Sequence, residues 1–170
     1  RLMMKKLHLI RHAKSSWQDT SLADIDRPLN QRGIDTCRYM ARYMYQAGCQ
    51  FNNVFCSPAL RARLTIELLS QTITNKDIQW QVVNELYTFD STQLFNWCRA
   101  LDESIVELVI IGHNPALTDF CNQLCQTDIK NIPTCGYAQL TATDDFCWQD
   151  LSPTSFKLSA FLKPKALMSY

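Results

Sequence analysis

The chain has 170 residues, which suits one domain with a sizeable core and leaves little room for a second. Hydrophobic residues make up 46 % and charged residues 19 %, a globular composition well away from the disordered regime. With 17 basic against 16 acidic residues the net charge is +1, which gives no ground for a nucleic-acid or membrane partner, so any basic site has to be a local concentration.

In chain order, the apolar run Lys6–Ile10, ending at Arg11-His12, reads as a first buried strand. A polar loop follows. From Gly33 to Ala47, Cys37, Met40, Ala41, Met44 and Ala47 form one helical face, stopped at Gly48. Val54-Phe55-Cys56 is a short strand. Ser57-Pro58 then opens a helix, with Ser57 as cap, Pro58 in the first turn, and Leu60, Leu64 and Leu68 on one face. Ile78–Val83 reads as a strand, and Leu94, Trp97, Cys98 and Leu101 mark a helix capped by Asp90 or Ser91. Ile105–Ile111 is the strongest strand, nearly all apolar, as a central parallel strand covered on both faces should be. Gly112-His113-Asn114-Pro115 ends it, and Leu117, Phe120, Cys121 and Leu124 share a further helix face. Tyr137–Thr141 and Phe156–Phe161 read as strands of a hairpin or meander, and Lys163-Pro164-Lys165 as a solvated tail. The alternation predicts a three-layer α/β/α sandwich with a mainly parallel sheet and an antiparallel C-terminal edge.

Eight cysteines show no two-residue spacing of a zinc knuckle or redox motif, and several sit among apolar residues. They read as reduced, mostly buried thiols. The basic start Arg1–Lys6 precedes an apolar stretch too short for a signal peptide, and no run is long enough to span a membrane, so a cytoplasmic protein is expected. Arg1 and Leu2, ahead of a methionine, are read as a remnant outside the fold.

In open α/β sheets ligands bind beyond the carboxyl ends of the strands. Arg11 and His12 follow the first strand, Ser57 with Arg61 and Arg63 the second, and His113 with Asn114 the central one. Arginine offers a rigid fork of donors matched to phosphate oxygens, so Arg11 and Arg61 are candidates to hold a phosphoryl group. A neutral imidazole can attack phosphorus in line and form a phosphohistidine, the role assigned to His12. His113, protonated by the nearby anion, would donate to the same oxygens. Asn114 and Ser57 are further candidate phosphate contacts. Arg63, roughly 200° around the helix from Arg61, is read as a surface residue. His8, mid-strand, is read as structural.

Leu9-Ile10-Arg11-His12-Ala13-Lys14-Ser15 resembles the Arg-His-Gly/Ala signature of the histidine phosphatase superfamily. Ser57 to Thr65 resembles its Ser-x-x-x-Arg-Ala-x-x-Thr signature, and Ile111 to Pro115 the Gly-His-Asn-Pro form of its second histidine. Asp26 to Gly33 resembles its Arg-Pro-Leu-x-x-Arg-Gly stretch. These matches run in family order over roughly residues 6 to 125. Ala13, the Lys14-Ser15-x-Trp17 continuation and the short chain are most similar to SixA-type phosphohistidine phosphatases. The resemblance implies a phosphoglycerate-mutase-like fold, a phosphate pocket of Arg11, His12, Arg61 and His113 with His12 as nucleophile, and no metal or other cofactor. It implies phosphorelay or phosphotransfer proteins as partners. Gln18 stands where phosphoglycerate-mutase-like members carry a phosphate-binding Asn, and Glu85 where many members carry a general acid. Lys14 and Trp17 are open between substrate rim and plain surface. The rivals are a small-molecule phosphomonoesterase of the same superfamily and a non-catalytic phosphate- or phosphohistidine-binding module.

Overall fold

The β1 strand, Lys6–Arg11, alternates its buried side chains between two cores, Leu7 and Leu9 on one side and Ile10 on the other. This follows from the two-residue period of a strand. The β4 strand, Glu107–Gly112, divides Leu108 and Ile110 from Val109 and Ile111 in the same way. Two neighbouring strands that are apolar on both faces require a layer of helices on each side. The computed structural model, which describes residues 4–168, has that arrangement.

Helices α1 (Gln31–Gln46) and α2 (Leu60–Thr72) cover one face, where Met40, Met44, Ile66 and Leu69 pack on Ile10, Val109 and Ile111. Helices α3 (Ser91–Arg99) and α4 (Ala116–Cys125) cover the other with Leu94, Phe95, Leu117 and Phe120. With β2 (Val54–Cys56), β3 (Trp80–Val82), β5 (Tyr137–Ala142) and β6 (Phe156–Leu162), the sheet runs β3-β2-β4-β1-β5-β6. The first four strands are parallel, β5 pairs antiparallel with β1, and β6 pairs antiparallel with β5. This is the expected α/β fold with its antiparallel C-terminal edge.

Helix caps explain several boundaries. The Asn30 side chain accepts from Gly33 N at 2.8 Å, so α1 starts at Gln31, ahead of the expected Gly33. Asp90 caps α3 through Thr92 N, one of the two caps expected. β3 is shorter than the expected Ile78–Val83; at the sheet edge its pattern is half exposed, so apolar content alone overstated its length. Ser57 is not the cap of α2, which begins at Leu60, and Pro58 lies outside it. The residues read as a solvated tail instead start a short helix α5, Pro164–Leu167, with Pro164 buried at its first turn and Leu167 O accepting from Tyr39 Oη at 2.6 Å. Arg1 and Leu2 lie outside the described residues.

Six of the cysteines are buried, Cys125 is partly so and Cys147 is exposed; all eight are free thiols. His8 is fully buried between Tyr137 Oη at 2.6 Å and Glu107 Oε1 at 2.5 Å, the structural role expected for it. No helix among the described residues is long and apolar enough to cross a membrane.

Gly33 fixes where α1 meets the segment after β1. A Cβ there would lie 2.2 Å from Lys14 O, which already accepts from Asn30 N at 3.0 Å. Gly33→Ala is therefore expected to cost about 1–3 kcal/mol or more, as overpacking against backbone does. In a chain of this size each kcal/mol corresponds to roughly 2–4 °C in Tm. A thermal melt of the variant checks this, and an unchanged Tm would refute it.

Candidate active site

Strand register sets the site. β2, β4 and β1 are neighbours, with Cys56 opposite Ile111 and Arg11 opposite Gly112. The next residues therefore emerge side by side. His12 N donates to Gly112 O at 3.1 Å and Ser57 N to Ile111 O at 3.0 Å. The His12 and His113 ring centroids lie 5.2 Å apart.

His12 is 7 % exposed, and its Nδ1 lies 2.8 Å from the carbonyl oxygen of Ala13. A carbonyl only accepts, so Nδ1 carries the proton and Nε2 keeps its lone pair. Burial first, then Arg61, Arg11 and Arg27, push the His12 pKa down to about 4, against the opposing effect of the Ala13 bond. At neutral pH the ring is uncharged and nucleophilic. Its neighbour is anchored too: Ala13 N donates to Thr65 Oγ1 at 2.9 Å, and Thr65 Oγ1 to Arg61 O at 2.7 Å.

His113 Nδ1 sits 3.5 Å from Arg61 Nη2, which only donates, so Nε2–H donates to Ser57 Oγ at 2.7 Å. Burial, then His12 and Arg61, push its pKa down to about 3, so the resting ring is neutral. The expected charged form has to arrive with the anion, whose charge opposes that of Arg61. Ser57 thus orients His113, and its hydroxyl also accepts from Ala59 N at 3.2 Å.

Arg11 Nη1 donates to Ile132 O at 3.1 Å. Arg61, 2 % exposed, donates through Nη1 to Asp24 O at 2.6 Å and through Nη2 to Asp24 Oδ2 at 2.9 Å. Both Nε atoms are buried without a partner. Buried charged donors left unpaired are costly, and the oxyanion of a phosphoryl group is the acceptor that would satisfy both. Four cationic side chains (Arg11, Lys14, Arg27 and Arg61) and a single carboxylate, Asp24, line a cleft of about 230 Å³. This is the local basic concentration that bulk charge left open.

Asp24 was not anticipated. It lies on a one-turn 3₁₀ segment, Asp24–Asp26, inside the polar loop. Arg27 binds Oδ1 at 3.2 Å, and Tyr87 Oη donates to Oδ2 at 2.6 Å. Burial acts to raise the Asp24 pKa, but the bonds from Tyr87, Arg61 and Arg27 hold it well below the usual carboxylate range. Arg27 was visible in the Arg-Pro-Leu motif, and Asp24 precedes it by three residues; that spacing was the one available signal.

The structure brings together Arg11, His12, Arg61, His113 and Asn114 in the cleft, with Lys14 and Trp17 on its wall. Asn114 serves the scaffold as well: Nδ2 donates to Ile132 O at 2.8 Å, and Oδ1 accepts from Thr118 N at 3.2 Å. Gln18 is exposed and lines a neighbouring groove instead, because the chain turns away after Trp17. Glu85 is exposed on the 3₁₀ turn Asn84–Leu86 and is not among the cleft residues. That turn points Leu86 inward, and Tyr87 reaches Asp24 in its place. Arg63 is exposed, with Nε on Pro58 O at 3.0 Å. Among the described residues no group of three or more His, Cys, Asp or Glu is placed to hold a metal ion.

The family model of the histidine phosphatase superfamily (branch 1) matches residues 7–91, which include Arg11, His12 and Arg61. The chain belongs to the histidine phosphatase superfamily. Within it, the phosphohistidine phosphatase SixA of Escherichia coli is 26 % identical over 161 residues, covering 91 % of this chain and 98 % of that protein. An uncharacterised protein of Mycobacterium leprae is 27 % identical over 170 residues, covering 92 % of this chain and 100 % of its own. The fold matches that of the protein histidine phosphatase SixA complexed with tungstate, with a TM-score of 0.78 at 22 % identity, covering 96 % of this chain and 99 % of that one. Superfamily membership and the site's geometry support phosphatase activity.

The depressed histidines set a pH dependence of stability. Both have an ordinary pKa of 6.5 but stay neutral in the fold, down to about 4 for His12 and about 3 for His113. Below pH 6.5 the unfolded chain binds more protons than the native one, so acid destabilises the fold. From about pH 6 to pH 4 each histidine should cost about 1.4 kcal/mol per pH unit. Urea unfolding across this window, with and without inorganic phosphate, checks it. Phosphate should recover part of the loss, and a flat profile would contradict the neutral assignment.

Proposed function

We propose that the protein dephosphorylates phosphohistidine in a phosphotransfer protein, through a phosphoryl intermediate on His12 Nε2. The observation that carries this reading is the state of the one carboxylate in the cleft. Asp24 is held deprotonated by Tyr87, Arg61 and Arg27, so it is a poor proton donor, and Glu85 stands outside. An ester would expel a strongly basic alkoxide and need an acid. A phosphohistidine ring protonated on its remote nitrogen leaves as neutral imidazole and needs none.

The bonds balance without further groups. His12 Nε2 forms the new bond to phosphorus as the substrate's N–P bond breaks, and the proton stays on Nδ1, donated in a hydrogen bond to Ala13 O. The products are neutral substrate imidazole and an N-phosphorylated His12 ring carrying one proton. Water then attacks phosphorus, the Nε2–P bond breaks, and dihydrogen phosphate departs with both of the water's protons. Arg11, Arg61 and the protonated His113 offset charge on the equatorial oxygens, the role a metal plays elsewhere. The SixA relative of E. coli bears the name phosphohistidine phosphatase, which supports the substrate class.

Phosphate release from a phosphohistidine-bearing protein and from an alkyl ester, glycerol 3-phosphate, with chelator present, tests the reading. Wild type should favour the phosphoprotein, and Glu85→Gln should match wild type within about twofold, as exposed surface changes generally do. Fast ester turnover that depends on Glu85 would move the protein to the small-molecule phosphatases. Tight phosphate binding with no turnover would make it a binding module.

A further inference from the structure

Among the described residues, five large hydrophobic side chains are exposed, and two of them, Trp17 at 69 % and Phe89 at 48 %, both line the phosphate cleft. They are also the two aromatic ones. They come from different segments, after β1 and after β3. Neither belongs to a hydrophobic core cluster.

Both are held in place. The Trp17 indole lies 3.6 Å from the Arg27 guanidinium, a stacked cation–π contact, and Arg27 is fixed by Ser15 Oγ at 2.6 Å and by Asp24 at 3.2 Å. The Phe89 ring lies 5.5 Å from that of His113 and meets Tyr87 edge-on at 5.7 Å. Tyr87 is in turn bonded to Asp24. Asp24 thus ties both aromatics to the arginines. Rigid, wet aromatic faces beside an anion pocket suit a substrate whose phosphoryl group is joined to a flat ring.

We propose that Trp17 and Phe89 hold the imidazole ring of the substrate's phosphohistidine, and so select ring-bearing phosphoryl donors over ring-free ones with the same P–N bond. This rests on the phosphohistidine reading above. The test compares phosphoimidazole, which has the ring and no protein, with phosphoramidate, which has the P–N bond and no ring. The ratio of their kcat/KM values cancels any general damage to the phosphate pocket.

In Trp17→Ala and Phe89→Ala the ratio should fall about tenfold, the upper range for one aromatic contact, and Trp17→Phe should restore most of it. An unchanged ratio, whether or not both rates fall, would overturn the proposal. So would a loss seen with a phosphohistidine protein and not with phosphoimidazole, which would place the aromatics on the partner's surface. Failure of the underlying reading looks different: wild type itself would hydrolyse neither P–N compound.

Discussion

His12→Ala is expected to lose turnover by on the order of 10⁴-fold or more while keeping the fold. The ring is the one group in the cleft with an in-plane lone pair free and uncharged. His113 is no substitute, because its Nε2–H is committed to Ser57 and its Nδ1 to Arg61. The side chain makes one hydrogen bond, Nδ1 to Ala13 O, so its removal leaves no buried partner charge behind. The variant should still bind inorganic phosphate through Arg11 and Arg61. Phosphate release measures the loss, and circular dichroism the fold. Retained activity would remove the covalent mechanism.

Arg61 carries the second large effect, and two substitutions separate its roles. Arg61→Lys keeps the charge and loses the planar fork, including the buried Nε that a phosphoryl oxygen would fill. A loss of about 10²–10³ in kcat/KM is expected, the scale for one well-placed donor to transition-state charge. Its acid limb should stay near the His12 value of about 4. Arg61→Gln removes the charge as well. His12 loses a cation that depresses it, so the acid limb should move up toward 6.5 and the rate should fall further. The sign follows from the neutral form being active: activity is lost as pH drops through the pKa, and a higher pKa loses it earlier. If both variants kept the wild-type limb, Arg61 would not be the electrostatic partner of His12.

The parts of the site that were readable from sequence are those set by strand ends. Ile10-Arg11-His12 and Ile111-Gly112-His113 each leave a buried strand, and parallel pairing in register brings the next residues together. Two-residue periodicity and the nearly all-apolar run at 105–111 are strong local signals for that. Asp24, Tyr87 and Phe89 are different. They reach the cleft because two polar segments fold back over it, and no periodicity marks such a return. Glu85 shows the same limit from the other side. Glu85 was the expected residue after β3, but a single 3₁₀ turn decides which side chain faces in, and it selects Tyr87. Ser57 was read as a cap because Ser-Pro before a helix is a cap pattern, whereas its bond to His113 spans 56 positions. Lys163-Pro164-Lys165 reads as a solvated tail from its charge, yet Pro164 opens a short helix against Tyr39.

The central claim is a phosphoryl group on His12 Nε2, and rapid quenching tests it most directly. Wild type would be mixed with excess ³²P-phosphohistidine protein, quenched in alkali within the first turnover, digested and mapped by mass spectrometry. The account predicts an alkali-stable, acid-labile label on the peptide bearing His12, formed faster than phosphate is released and absent from His12→Ala. Label on another residue, or full turnover with none trapped at His12, would contradict it.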